Sequence, residues 1–314
     1  MTRVERRAAP WAAKTPASWP LPARTPLAGR STYPSNGGRT FTQVDVFTAT
    51  PLLGNPLAVV HDAQGLSDAQ MQAFARWTNL SETSFLLPPT DLAADYGVRI
   101  FTPHRELPFA GHPTLGSCHA WLAAGGIARA ADEVVQQCAA GLIRIRRDGR
   151  LLAFAAPPCV RSGPLDAPLL ARIVAALGLQ PADVLDHQWV DNGPGWCAVR
   201  LASAEVVLAL EPDWPALADI KLGMVGPHSA GAAAQFEVRA LIGEGSGYED
   251  PVTGSLNASL AQWLIASGAA PERYVAAQGA RLGRRGRVVI ECIDGQVWVG
   301  GHCADCIRGE VVLR

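Results

Sequence analysis

The sequence predicts an α+β fold built from two similar lobes, and three observations support this prediction. Short segments rich in β-branched and aromatic residues recur from about residue 40 to the end of the chain. Two segments, 113–124 and 255–266, are apolar on nearly all sides, which is typical of helices buried in a core. A weak internal repeat places a strand arginine, a helix start and a late Trp-Leu pair in the same order in both halves.

The first lobe is predicted to span residues 40–157. A capping box at Ser67–Gln70 predicts the start of a helix that ends near Asn79 and has Trp77 on its apolar side. The buried helix at 113–124 follows later in this lobe. Strands are predicted at 41–47, 57–61, 84–87, 98–101, 133–137, 142–147 and 151–155.

The second lobe, 158–314, begins after a Pro-Pro pair and repeats this plan. A helix is predicted at 166–177, and the buried helix at 255–266 ends before Gly268. Strands are predicted at 197–201, 205–210, 235–242, 287–291, 296–300 and 307–313.

Composition excludes several classes of function. Hydrophobic residues make up 48% of the chain and charged residues 18%, which is typical of a globular protein with a sizeable core. A net charge of −1 gives no reason to expect a nucleic-acid partner. The sequence contains no run of about 18 apolar residues, the length that a membrane helix needs. We therefore expect a soluble protein without a membrane partner.

The basic N-terminal segment, residues 1–39, and the cysteines give information on the cellular compartment. Residues 1–39 contain seven basic residues, one acidic residue and six prolines, so we expect a disordered extension. The seven cysteines are odd in number and no secretion signal is visible, which favours a reduced, cytoplasmic protein. Cys303 and Cys306 have the spacing of a metal or redox pair. Without a second such pair, their position in an alternating segment favours ordinary strand cysteines.

Two polar, glycine-containing segments, 109–114 and 249–255, lead directly into the two buried helices. A helix start exposes unpaired N–H groups and the positive end of the dipole, so it suits an anion. If the lobes face each other, both starts point into one cleft, where Gly111 and Gly254 allow a ligand to come close. The alternative is plain capping by residues of good N-cap types: Thr114, Thr253 and Ser255.

Glu82 lies between a predicted helix end and a predicted strand, where a glutamate is usually solvated. Burial in the cleft would raise its pKa towards the working pH, as a general base requires. His112 and Asp250 are the other titratable groups at the helix starts. Each also has a structural reading, because His112 adjoins a Gly-Pro turn and Asp250 precedes a proline.

Taken together, an ordered set of motifs resembles the PhzF-like family of phenazine-biosynthesis isomerases and epimerases. The motifs follow the family order across about residues 40–302, and together they are specific although each is weak alone. They are Val44–Phe47, Gly54–Pro56, Asn79–Phe85, Arg99–Pro103 with Glu106, Phe109–Thr114, Glu249–Ser255, Gln278–Gly279, Gly283–Arg284 and Gly300–Gly301.

The resemblance implies a diaminopimelate-epimerase-like fold, with each lobe a curled mixed sheet around a central helix and the active site between the lobes. It implies a homodimer that acts on a small molecule without a cofactor. Glu82 would move a proton between carbons of a cyclic, carboxylate-bearing metabolite, with His112 and Asp250 as further catalytic groups. The residues matched to substrate binding are Gly111, Thr114, Gly254 and Ser255.

Racemases of the same fold use two thiols, one at each helix start. Here the corresponding places hold Ala110 and, approximately, Asp250, so a single-carboxylate shuttle fits better than a two-thiol inversion. The alternative is a binding or regulatory protein on the same scaffold, which captures a small acid without chemistry. A metal hydrolase or a nucleotide enzyme is disfavoured, because the sequence lacks HExxH, a P-loop and a strand-linked GxGxxG.

Overall fold

A computed structural model describes residues 38–313, and most of the predicted N-terminal extension lies outside this range. Gly38 and Arg39 belong to the first strand, which therefore begins two residues before the predicted start of the ordered part. Within 38–313 the chain forms 18 strands and five α-helices. The elements of the first half are β1 (Gly38–Val46), β2 (Asn55–Val60), α1 (Asp68–Thr78), β3 (Thr83–Leu87), β4 (Tyr96–Phe101), β5 (Glu106–Leu107), α2 (Gly111–Ala123), β6 (Glu133–Cys138), β7 (Gly141–Asp148) and β8 (Leu151–Ala155).

The second half has a similar order with additional elements at its start. They are β9 (Arg161–Gly163), α3 (Ala167–Ala176), β10 (Asp186–Asp191), β11 (Trp196–Arg200), α4 (Ala204–Ala209), β12 (Lys221–Pro227), β13 (Phe236–Ile242), β14 (Tyr248–Asp250), α5 (Gly254–Ala266), β15 (Arg273–Gln278), β16 (Gly286–Ile293), β17 (Gln296–Gly301) and β18 (Cys303–Val312).

The strand pairing supports the internal repeat. In the first half β3 pairs antiparallel with β4, β4 pairs parallel with β6, and β6, β7 and β8 follow as an antiparallel run. In the second half β12, β13, β15, β16 and β17 pair in the same pattern. Each parallel pair needs a crossover connection, and α2 and α5 occupy those connections.

The two halves share one hydrogen-bonded sheet system. β8 pairs antiparallel with β17, and the last strand, β18, pairs antiparallel with β1 from Gly38↔Val312 to Val46↔Cys303. Strands from one half of the sequence therefore complete the sheet of the other. The lobe limits 40–157 and 158–314 stay a prediction.

Both central helices are buried, as their composition predicts. α2 carries Leu115 and Cys118 into the core, and α5 carries Leu256 and Leu260, all at 1% exposure or less. Gly116 allows α2 to lie close to the sheet, because a Cβ there would come within 2.5 Å of the Leu57 side chain. Close packing at these positions holds the two helices against the sheet.

Three local predictions differ from the structure. The predicted strand 205–210 is helix α4. Its start is capped by the Ser203 hydroxyl, which accepts a hydrogen bond from the Val206 amide, and the helix buries Val207. Trp77 is 80% exposed rather than on the buried side of α1, although its ring stacks on Phe74. The helix predicted from Pro113 begins two residues earlier, at Gly111, and Ala110 before it has an extended backbone.

Candidate active site

The starts of α2 and α5 meet in the interior of the protein. A Cβ placed on Gly254 would lie 3.2 Å from the backbone nitrogen of His112 and 3.3 Å from the Cα of Gly111. Only residues without a side chain allow two helix ends to approach so closely. On the other side, a Cβ on Gly111 would lie 2.5 Å from the Phe154 ring. The predicted convergence of the two helix starts is therefore present.

Side chains of the described residues do not cap either helix start. Ala110 and Thr253 hold the N-cap positions with extended backbone and make no side-chain capping bond in this part of the chain. The first-turn N–H groups of both helices have no carbonyl partner within the helix. Two positive dipole ends that meet in a buried place repel each other, and a bound anion relieves that repulsion. The arrangement therefore favours an anion over plain capping.

The capping alternative is wrong in its details. Thr114 and Ser255 lie inside their helices, and the Thr253 hydroxyl at the N-cap donates to Asp250 Oδ2 instead of capping. The sequence places the equivalent of Ala110 approximately at Asp250. In the structure, Ala110 and Thr253 occupy equivalent N-cap positions in the two helices. Neither residue carries a thiol.

Glu82 reaches the helix starts from the loop between α1 and β3. Asn79 ends α1 in a left-handed conformation, φ 53°, which turns the chain towards the cleft. The Glu82 carboxyl is 17% exposed, and its Oε2 lies 3.2 Å from Nδ1 of His112. That oxygen has no hydrogen-bond partner among residues 38–313. The carboxyl is thus largely shielded from water, and its buried oxygen lies beside His112 without a hydrogen bond from the described residues.

Burial gives Glu82 and His112 opposite shifts. It raises the pKa of Glu82 to about 8, and the nearby Asp250 carboxylate adds to the effect. It lowers the pKa of His112 to about 4, although a hydrogen bond to the backbone of Pro56 acts in the opposite direction and raises this pKa. At neutral pH the pair therefore consists of a mostly protonated carboxyl and a neutral imidazole. A carboxyl that titrates near the working pH is suited to both accept and return a proton.

Asp250, by contrast, is a buried carboxylate with several donors. Oδ1 accepts from Asn55 Nδ2 at 3.3 Å and from Ser81 Oγ at 3.4 Å, and Oδ2 accepts from Thr253 Oγ1 at 2.5 Å. Burial raises the pKa of Asp250, whereas these hydrogen bonds lower it. Because Ser81 adjoins Glu82, this network also ties the Glu82 loop to the start of α5.

Gln278 in β15 stabilises the start of α5 through hydrogen bonds to the turn that precedes it. Its Oε1 accepts from the Thr253 amide at 3.0 Å and from Asn257 Nδ2 at 2.8 Å. Its Nε2 donates to the Asp250 carbonyl at 3.0 Å. Gln278 is 1% exposed, so these bonds fix the backbone on both sides of the turn into α5.

The predicted substrate-binding residues fall into two groups. Gly111, Gly254 and Ser255 lie at the meeting helix starts, and Ser255 Oγ accepts from Trp196 Nε1 at 3.0 Å. Thr114 is fully buried, and its Oγ1 accepts from Gln136 Nε2 at 3.1 Å. Its hydroxyl is engaged in this internal bond, so the structure gives it a role in the core rather than at the cleft.

No cysteine lies in the two segments that lead into the central helices, 109–114 and 249–255. All seven are free, and Cys303 lies buried in β18 with a pKa that burial raises well above its ordinary value. In the described range, no group of three or more His, Cys, Asp or Glu residues could hold a metal ion. Among the helices between residues 38 and 313, none is long and apolar enough to cross a membrane.

Comparison with known proteins identifies the family. Residues 44–309 match the model of the phenazine biosynthesis-like proteins, PhzC-PhzF. The chain belongs to this family. It is 33% identical to Antisense-enhancing sequence 1 of Schizosaccharomyces pombe over 289 residues, covering 86% of this chain and 97% of the relative. It is 34% identical to the trans-2,3-dihydro-3-hydroxyanthranilate isomerase of Pseudomonas aeruginosa over 257 residues, covering 79% and 88%.

A solved PhzF-family structure from Enterococcus faecalis has a TM-score of 0.73 at 24% identity and covers 88% of this chain and 100% of the other. This likeness confirms the predicted α+β, diaminopimelate-epimerase-like fold. Several curated relatives are named isomerases, which confirms the predicted family and enzyme class.

Two polar residues of the PhzF-like site were missed as site residues. Asn55 and Gln278 hold Asp250 and the start of α5, yet neither was predicted to have a role there. Both lie in family motifs, Gly54–Pro56 and Gln278–Gly279, and that position was the available signal.

Proposed function

We propose that the chain is a cofactor-independent isomerase that moves a proton on a small, cyclic, carboxylate-bearing metabolite by acid–base catalysis at Glu82. The observation that carries this proposal is a shielded carboxyl with a pKa near 8, 3.2 Å from His112, beside two meeting helix starts. A general base works best when its pKa lies near the working pH.

The helix starts supply the binding step. The uncapped first-turn amides of α2 and α5 are hydrogen-bond donors for a carboxylate, and both dipoles favour negative charge there. Gly111 and Gly254 leave room for close approach to the backbone. A carboxylate held in this way also lies where negative charge grows as a neighbouring C–H bond is broken.

The proton step needs one base. The ionised Glu82 carboxylate takes a proton from a ring carbon, and the C–H electron pair enters the adjoining π system so that a double bond shifts. The protonated Glu82, whose proton exchanges in part with solvent while the intermediate is bound, then donates it to another carbon of that π system. Atoms and electrons balance without an oxidant, reductant or metal. Because one group takes and returns the proton, both events occur on one face of the substrate.

His112 and Asp250 prepare Glu82 for this cycle. The neutral His112 ring lies against the carboxyl and positions it without adding a positive charge that would stabilise the carboxylate. Asp250 keeps a negative charge close by and so raises the affinity of Glu82 for its proton. The N-cap positions hold Ala110 and Thr253, which supports one carboxyl base over two thiols.

The decisive experiment is isotope exchange from solvent. Trans-2,3-dihydro-3-hydroxyanthranilate, the substrate in the name of the Pseudomonas relatives, is the first probe, followed by other cyclic amino acids and β-hydroxy acids. In D2O the wild-type protein should put deuterium on substrate carbon, and Glu82→Gln should not, because the amide keeps the shape and removes the base. Glu272→Gln, on an exposed glutamate, is the matched control and should exchange like wild type.

Two outcomes would count against this function. If Glu82→Gln exchanges within twofold of wild type, another group is the base. If both forms bind the acids without exchanging deuterium, the chain is a small-acid-binding or regulatory protein on the same scaffold. The homodimer is a further proposal, from the family resemblance, and light scattering of the purified protein tests it. The cytoplasmic location is a proposal from the cysteines.

A further inference from the structure

A basic cavity of about 420 Å³ lies at the connection between β15 and β16. The loop before β2 and the connection between β12 and β13 also contribute lining residues. Its polar lining consists of His228, Glu237, Gln278, Arg284, Arg285 and Arg287. Glu82 and His112 do not line it, so the cavity differs from the site described above. Its volume lies in the range of small-molecule pockets.

The arginines of this cavity make no close ion pair in the described chain, and Arg287 interacts with the Glu237 carboxyl only at longer range. Arg284 donates to the backbone carbonyls of Leu52 and Gly54, and Arg287 donates to that of Gly286. Among residues 38–313, the arginines at 284, 285 and 287 make no ion pair within 4.0 Å. Arg281 on the same connection differs, because it pairs with Glu211. The cavity therefore offers cations whose charge a bound carboxylate would balance.

Glu237 adds an acceptor to this basic lining. It is 3% exposed, and its Oε2 lies 3.0 Å from Nε2 of His228. Its Oε1 is buried and has no hydrogen-bond partner in the described part of the chain. A buried acceptor left unpaired costs free energy, which a donor on a ligand would recover. An anion alone would not supply that donor.

We propose that this cavity is a second binding site, for a small carboxylic acid that also carries an amino or hydroxyl group. The carboxylate contacts Arg285 and Arg287, and the ammonium or hydroxyl donates to Oε1 of Glu237. Gln278 lines the cavity and also holds the start of α5, so a ligand here contacts a residue that supports the isomerase site.

The test uses succinate, L-malate and L-aspartate, which share a carbon skeleton and differ by hydrogen, hydroxyl or ammonium at one carbon. Binding to the full-length protein is followed by amide NMR shifts at residues 277–285, separately from those at Gly111 and Gly254. L-Aspartate should bind about fivefold or more tightly than succinate at 277–285, because one charge-assisted hydrogen bond is added. L-Malate should fall between them.

Variants separate this cavity from a generally basic surface. Arg285→Ala should weaken the binding of L-aspartate, followed at residues 277–285, by about tenfold, because a charge-assisted contact is lost. Arg281→Ala is the matched control, with the same charge change on the same connection, and should stay within about threefold of wild type. Glu237→Gln keeps the shape and should remove most of the preference for L-aspartate over succinate.

The proposal is overturned if Arg285→Ala and Arg281→Ala weaken binding equally, or if the double variant Arg285→Ala/Arg287→Ala binds like wild type. It is also overturned if none of the three acids shifts residues 277–285 at 10 mM. Unchanged unfolding midpoints of the variants establish that their folds are intact. Shifts confined to Gly111 and Gly254 would report the first site only and would equally reject a second one.

Discussion

The raised pKa of Glu82 makes the folded protein less stable as pH rises, and Glu82→Gln should remove that dependence. The folded pKa of about 8 stands above the ordinary value of 4.5, so the folded state holds a proton that the unfolded state releases. The stabilisation is complete below 4.5 and is lost progressively as pH rises to 8. Above 8 both states are ionised, and no further change comes from this group.

The size of the effect follows from the two pKa values. The interval from 4.5 to about 8 is 3.5 units, and each unit corresponds to about 1.4 kcal/mol. Relative to a variant that cannot ionise at this position, the free energy of unfolding of wild type should fall by about 3 kcal/mol between pH 4.5 and pH 7, and by about 5 kcal/mol in all by pH 9. Glu82→Gln should therefore match wild type at pH 5 and be clearly more stable at pH 9.

Urea unfolding at pH 5, 7 and 9 measures this difference, and equal m-values show that only stability has changed. Titration of groups that do not interact with Glu82 cancels when the variant is compared with wild type at each pH, whereas Asp250 and Tyr248 interact with it electrostatically. Glu272→Gln, on an exposed residue, should show no such trend. A stability difference between wild type and Glu82→Gln that stays constant from pH 5 to pH 9 would refute the burial argument, and with it the assignment of Glu82 as the base.

Three further predictions concern catalysis and the helix starts. The logarithm of kcat/KM should rise with unit slope up to about pH 8 and then level off, because only ionised Glu82 accepts a proton; a flat profile from pH 6 to 9 would contradict this. Asp250→Asn should move the midpoint of that profile to lower pH, since it removes a charge that raises the pKa of Glu82; an unchanged midpoint would show that Asp250 is too distant. Gly254→Ala should reduce kcat/KM by about tenfold and stability by about 1–3 kcal/mol, because its Cβ would lie 3.2 Å from the His112 backbone, whereas Gly309→Ala, in open space, should affect neither.

The sequence indicated the elements whose side-chain pattern is strong. Both central helices are apolar on nearly all sides, β6 and β7 alternate in burial along part of their length, and β8 is a short apolar run. Their predicted positions agree with the structure within a few residues. Helix α4 was taken for a strand because Glu205–Leu210 suits either state, and the Ser203 cap decided between them. Six strands were not predicted: β5, β9, β10, β12, β14 and β15. Strands β10 and β15 contain charged and amide residues and lack a long apolar run, and β12 contains two glycines and a proline.

The site was predictable only where a motif pointed to it. Glu82, His112 and Asp250 were identified because their motifs occur in family order. The bond from Asn55 to Asp250 joins residues 195 positions apart, and local patterns carry no information on such a contact. The exact helix starts were also out of reach, since they depend on the backbone conformation of Ala110 and Thr253 rather than on residue type.

The position of β18 has a consequence for how the molecule is made. β1 lies between β2 and β18, and β18 is formed by the final residues of the described chain. During synthesis, one edge of β1 stays open until β18, which lies more than 250 residues later in the chain, has emerged. Contacts between such distant segments form slowly, and an open strand edge can pair with other chains. Loss of β18 would therefore expose the edge of β1, a strand that is synthesised long before it.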